Sequence, residues 1–189
     1  MIKEVARTIL KNYGFTRDDI RSSQDRTLEL QRLIIEGQFE AEKNELETRS
    51  WFISDRSAVD PIIYGRKYAS REGADTLAAS AGWMEMRNRM EKSLIIVCEA
   101  GVDWLVDDGV RLMPRDETEW MQTHSEFCDT LTGSGLEFHV LPSTIRSKDE
   151  RVKFVLARWE GKRRELTLLG GAHEHVKENY RCEGHALTT

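Results

Sequence analysis

Apolar residues recur at helical spacing through the first part of the chain. Val5, Ala6, Ile9 and Leu10 share one face of a helix expected over residues 3–13, with Gly14 as its C-terminal stop. A longer helix is expected over 25–47. Leu28, Ile35 and Phe39 form its stripe, and Leu33, Ile34 and Leu46 broaden it. A short apolar run, 51–54, then reads as a strand. Further helices follow over 59–69 and 74–90, with Gly73 between them, and Trp83, Met86 and Met90 share a face that reads as core.

Residues 93–98 form a continuous apolar run rather than an alternating one, the pattern of a strand covered on both faces. A polar excursion, 99–115, separates it from a helix that Asp116 opens, with Glu119 completing a capping box. That helix is expected to end near Leu131, before Gly133 and Gly135. A third strand, 136–141, stops at Pro142, and a last helix begins at Ser147 or Asp149 and runs to about Trp159. From Gly161 the pattern fades, so residues 1–160 read as the domain and 161–189 as a polar, irregular tail. Strands alternating with helices imply an α/β layered fold.

Composition narrows the picture. The 189 residues suit one domain, and 39% hydrophobic with 32% charged residues describe an ordinary soluble protein. A formal charge of -5 argues against bulk electrostatic binding of nucleic acid or an anionic membrane surface. No apolar stretch approaches the ~20 residues of a membrane span. Three scattered cysteines imply no disulfide framework, and a reducing, cytoplasmic setting is expected; Cys98, in its apolar run, reads as a small core residue. His173, His175, Cys182 and His185 fit no strong zinc spacing.

Candidate chemistry gathers at Asp55-Arg56-Ser57, where the first apolar run ends. In an α/β protein a buried parallel strand delivers polar residues to the carboxyl edge of its sheet in this way. Asp55 could hold a metal or orient a nucleophile, and Arg56 offers a planar fork of donors for phosphate. Ser57 or Asp60 could equally cap a helix with Pro61 at its first position. Glu4 and Arg7, three apart, can pair across one helix face.

Glu4-Val5-Ala6-Arg7, Phe52-Ile53-Ser54-Asp55-Arg56-Ser57 and the 103–111 loop occur in this order. Together they resemble the P-loop AAA-type domain related to nicotinamide riboside kinases, over about residues 2–158. The resemblance implies a three-layer α/β/α parallel sheet of the nucleoside- and nucleotide-kinase type. It also implies a site for ATP and Mg²⁺ and a small-molecule phosphoryl acceptor. Catalysis in such enzymes is mainly positioning and charge neutralisation. By resemblance, Asp55 would hold Mg²⁺ or take the acceptor proton, Arg56 would touch a phosphate or the acceptor, and Arg111 would lie in a closing lid. Glu4 and Arg7 would line the acceptor pocket. Asp107 and Asp108 would assist metal or acceptor binding, or simply shape the turn at Gly109.

The family's phosphate cradle, G-x-x-x-x-G-K-[ST], does not occur in these 189 residues. Gly161-Lys162 is followed by Arg163 and is no substitute. By motif order, the first strand and this loop should precede Met1, so the domain is expected to be incomplete, with buried strands facing a gap and no phosphotransfer by this chain alone. The expectation is therefore a kinase-like P-loop domain lacking its cradle. A regulatory nucleotide- or phosphoinositide-binding module, or a non-catalytic remnant, are the alternatives.

Overall fold

The computed structural model describes residues 1–110 and 112–181, with side chains to Leu168 apart from Arg111. In order, the elements are α1 (Val5–Tyr13), α2 (Asp19–Ser22), α3 (Gln24–Thr48), α4 (Val59–Tyr68), α5 (Arg71–Ala78), α6 (Ala81–Met90), β1 (Ile96–Cys98), α7 (Glu117–Gly133), β2 (His139–Leu141) and α8 (Lys148–Arg181). Local chemistry explains most of the boundaries. Ser23, Ser70, Ser80 and Asp116 each accept a hydrogen bond from the backbone N–H three residues on, which satisfies an orphan donor of the first turn. Gly14 closes α1 in the left-handed region at φ 66°.

α3 is the spine, with α1, α2, α4, α5 and α6 packed around it. One apolar cluster joins Ile35, Val59, Ile62, Trp83, Met86 and Leu131, drawn from α3, α4, α6 and α7. A second joins Ile9, Phe15, Ile20 and Leu30 under α1 and α2. Trp83, Met86 and Met90 are all buried, in keeping with a core role.

The sheet is small. β1 and β2 pair in parallel, in the register Ile96 to His139 and Cys98 to Leu141, with α7 as the crossover between them. Apart from them stands one parallel bridge, in which Ile2 N–H donates to the Ile53 carbonyl at 2.8 Å and Asp55 N–H donates to the Ile2 carbonyl at 2.9 Å.

Several expectations need correction. The fold is mostly helical, and a broad sheet between two helical layers is not seen among the described residues. Residues 51–54 form no strand beyond the bridge at Ser54, and residues 93–95 and 136–138 lie outside the strands. A strand forms only where a neighbour takes its backbone groups, and Ile2 alone supplies one for the 51–55 segment. β1 is not covered on both faces: Ile96 and Val97 are half-buried and Cys98 is exposed, so Cys98 is not a core residue.

Gly73 does not separate two helices; it lies inside α5, where an added Cβ would stand 2.5 Å from Leu28 Cδ2. The break after α4 comes instead at Ala69–Ser70, and the helix expected over 74–90 is itself divided at Ala79–Ser80. α7 continues to Gly133, and α8 runs on through Gly161 to Arg181 rather than fading near Trp159. Lys162 pairs with Glu165 across one turn of that extension, and Thr167 Oγ1 donates to the Arg163 carbonyl. No helix among the described residues is long and apolar enough to cross a membrane.

Candidate functional site

The 54–60 corner is built by two constraints. The bridge to Ile2 fixes Asp55, and α4 begins at Val59, so the chain must turn sharply between them. Arg56 absorbs the turn at φ 87°, the left-handed region that a side chain with a Cβ rarely adopts. Asp60 then reaches back: its Oδ2 accepts from Ser57 N–H at 3.1 Å and from Ser57 Oγ at 3.3 Å. Ser57 Oγ in turn accepts from Val59 N–H at 3.3 Å. Neither Ser57 nor Asp60 is the cap residue of α4: that position is Ala58, which gives no side-chain cap bond. Pro61 is the third residue of the helix rather than the first, so the Ser57–Asp60 bonds close the turn that leads into it.

Arg56 points toward α1. Its Nη1 donates to Asp60 Oδ1 at 3.1 Å, and its Nε lies 3.6 Å from Glu4 Oε1. The other Glu4 oxygen, Oε2, accepts from Arg7 Nε at 2.7 Å, and Arg7 Nη2 reaches Asp108 Oδ2 at 2.5 Å. Glu4 and Asp60 are largely covered, with side chains 17% and 16% exposed. The pairing raises the Arg7 pKa, chiefly through Glu4 and then Asp108. That of Arg56 is also raised, chiefly by Asp60, against the opposing effect of burial.

Glu4, Arg7, Arg56 and Asp60 rim a cleft of about 80 Å³ between α1, α3 and α4, with Leu30, Ile34 and Pro61 on its apolar walls and Val110 and Leu112 on one side. Tyr64 also faces it, as do two amide side chains of α3, Gln31 and Gln38. The described charged groups of this network are three carboxylates, Glu4, Asp60 and Asp108, against two guanidiniums, Arg7 and Arg56.

The residues singled out from sequence thus fall into separate groups. Glu4, Arg7, Arg56 and Asp108 form one network. Asp107 takes part in another: it accepts from Arg17 Nη1 at 2.8 Å and from Gly109 N–H at 2.8 Å, the latter being the first cause of its lowered pKa. Its turn-forming reading is satisfied by the Gly109 bond. Asp55 is exposed, and its charge adds to the field at Arg56 without lining the cleft. Arg111 lies outside the described residues, as do the side chains of His173, His175, Cys182 and His185.

Sequence reasoning missed the polar stripe buried on α3. Thr27, Gln31, Gln38 and Glu42 are each at most 5% exposed. Thr27 Oγ1 donates to the Ile20 carbonyl at 2.9 Å, and Gln38 Nε2 donates to Glu42 Oε1 and Ser54 Oγ, both at 3.0 Å. Arg89 Nε holds the other Glu42 oxygen at 3.1 Å, while burial pushes the Glu42 pKa up. The signal was present: polar residues spaced four, seven and four apart run beside the apolar stripe of one helix.

The comparison that decides the family is a match to the model of the AAA domain over residues 1–151. The chain belongs to the AAA domain family. No curated protein and no solved structure matches it. This AAA domain is P-loop NTPase-like, and members of such families typically bind a nucleotide with Mg²⁺. The glycine-rich phosphate cradle of such families does not occur in these 189 residues, and no set of three or more histidine, cysteine, aspartate or glutamate side chains that could hold a metal ion is found among the described residues.

Proposed function

We propose that the cleft rimmed by Glu4, Arg7, Arg56 and Asp60 is the acceptor site of a P-loop phosphotransferase domain related to nicotinamide riboside kinases, and that it takes a nucleoside-like small molecule. The observation that carries this reading is the position of Glu4. One carboxylate joins two guanidiniums from distant parts of the chain beside an enclosed space. Glu4 and Asp60 can accept hydrogen bonds from ligand hydroxyls, while Arg7 and Arg56 orient those carboxylates.

In this reading Asp55, Arg56 and Arg111 belong to the phosphoryl-transfer machinery, and Asp107 and Asp108 support the acceptor side. No catalytic step is assigned to these residues alone, because the cradle that would position a nucleotide is not among them. A regulatory module that binds without turnover is the second reading. Its support is that both described guanidiniums of the rim are already neutralised by carboxylates.

Isothermal titration calorimetry on the 189-residue chain tests the proposal. A ribonucleoside such as uridine should bind, Glu4→Gln should weaken that binding, and Mg-ATP should give no binding heat. Micromolar affinity for Mg-ATP, or nucleoside binding indifferent to Glu4→Gln, would overturn it.

A further inference from the structure

Gln31 is 3% exposed, sits on α3 between Leu30 and the Ile34 turn, and lines the cleft. Its amide makes no hydrogen bond among the described residues, whereas its buried polar neighbours on the same helix, Thr27, Gln38 and Glu42, are all engaged. A primary amide carries two donors and a carbonyl with two lone pairs. What the side chain leaves accessible faces the cleft, so both its donors and its carbonyl are available to whatever enters there.

We infer that Gln31 determines specificity in this cleft by pairing with a neutral amide or imide edge, one N–H beside one C=O, presented by a pyrimidine-like ring or a carboxamide. The chemistry of the amide selects this partner. A phosphate or carboxylate would satisfy the Nε2 hydrogens of the side chain but set its charge against Oε1. An ammonium would do the reverse. Only an edge with a donor beside an acceptor answers both atoms at once, as amide side chains do when they read base edges. The walls around Gln31, Leu30, Ile34 and Pro61, are apolar, and the space of about 80 Å³ suits one ring or amide group rather than a whole nucleotide. The flat end of the ligand therefore lies inward against Gln31, and its hydroxyls face the charged rim of Glu4 and Asp60. This inference rests on the acceptor-site reading for the orientation of the ligand, and on Gln31 alone for the choice of edge.

The test is nuclear magnetic resonance on the full ¹⁵N-labelled chain, read at the Gln31 side-chain amide. Uridine supplies the ring edge, benzamide supplies the exocyclic amide, and N3-methyluridine carries the same sugar with the edge blocked. Uridine or benzamide should shift the Gln31 signals, and a response to one alone identifies which source the site prefers. N3-methyluridine should bind about tenfold or more weakly than uridine, as expected when a buried polar group loses its partner. Gln31→Leu should weaken the responsive ligand by a similar factor.

Gln31 signals unmoved by either ligand at millimolar concentration overturn the inference. So does N3-methyluridine binding as tightly as uridine, a measurement that needs no variant. If Gln31 responds while Glu4→Gln leaves binding unchanged, the rim reading fails and the edge recognition stands. The converse result removes the edge recognition alone.

Discussion

Glu4 Oε1 lies 3.6 Å from Arg56 Nε, and the same carboxylate holds Arg7 through its other oxygen at 2.7 Å. This ties the start of α1 to the corner before α4, two segments that the Ile2 bridge and packing on α3 also link. The site and the fold therefore share a joint, and perturbing one should be felt in the other.

Replacing Glu4 with Gln leaves the shape and removes the charge. Both guanidiniums keep a second carboxylate, Asp108 for Arg7 and Asp60 for Arg56, so neither is stranded. The expected loss is about 1 kcal/mol, near the upper end for partly exposed pairs. Urea unfolding of the two proteins measures it, and a loss several times larger would mean that the network behaves as a buried one.

Arg56 offers a separate test of backbone strain. At φ 87° any side chain with a Cβ is penalised, whatever its charge. Arg56→Ala and Arg56→Gly both lose the ion pairs, but only glycine relieves the backbone. Arg56→Gly should be the more stable of the two by about 1 kcal/mol. Equal stabilities in chemical denaturation would show that the corner relaxes without cost.

Asp116 caps α7, the crossover between β1 and β2, by accepting from Glu119 N–H at 2.7 Å. Asp116→Ala should cost about 1 kcal/mol, and Asp116→Asn, which keeps an accepting oxygen, should cost markedly less. Thermal unfolding of the three proteins gives the order directly.

The Asp19 carboxyl is held down to about 2, from 3.8, first by hydrogen bonds from Arg26 and then by Thr16. A carboxyl with a depressed folded pKa lends stability that is fully present above its unfolded pKa and is lost as pH falls through the folded value. The Asp19 contribution should therefore disappear between about pH 4 and pH 2. Stability measured across that window should fall less steeply in Asp19→Asn than in the parent, and carboxyl-carbon resonances should report the low pKa. Identical slopes would remove Asp19 from the acid response.

The comparison of sequence with structure is instructive at particular residues. Helices were legible because their signals are local: the spacing of Val5, Ile9 and Leu10, the left-handed stop at Gly14, the Asp116–Glu119 box. Strands were not, because an apolar run such as 51–54 or 93–98 becomes sheet only where another segment takes its hydrogen bonds. Gly73 was misread for a related reason. Its meaning lies in the nearness of Leu28, which no local pattern displays. The candidate site divides in the same way: Glu4 and Arg7 are neighbours on one helical turn and could be paired from spacing, but their meeting with Arg56 and Asp108 could not.

By itself the sequence determined the helical framework, the capping residues, the membership of an AAA domain family and the absence of a glycine-rich phosphate cradle from these 189 residues. Only the tertiary structure decided which charges share a cleft, that Asp55 and Asp107 stand outside it, and that Gln31 is buried in its wall without a partner. The reason is physical. Helix propensity and capping act within a few residues, whereas ion pairing and desolvation depend on which distant segments the packed core brings within a few ångströms.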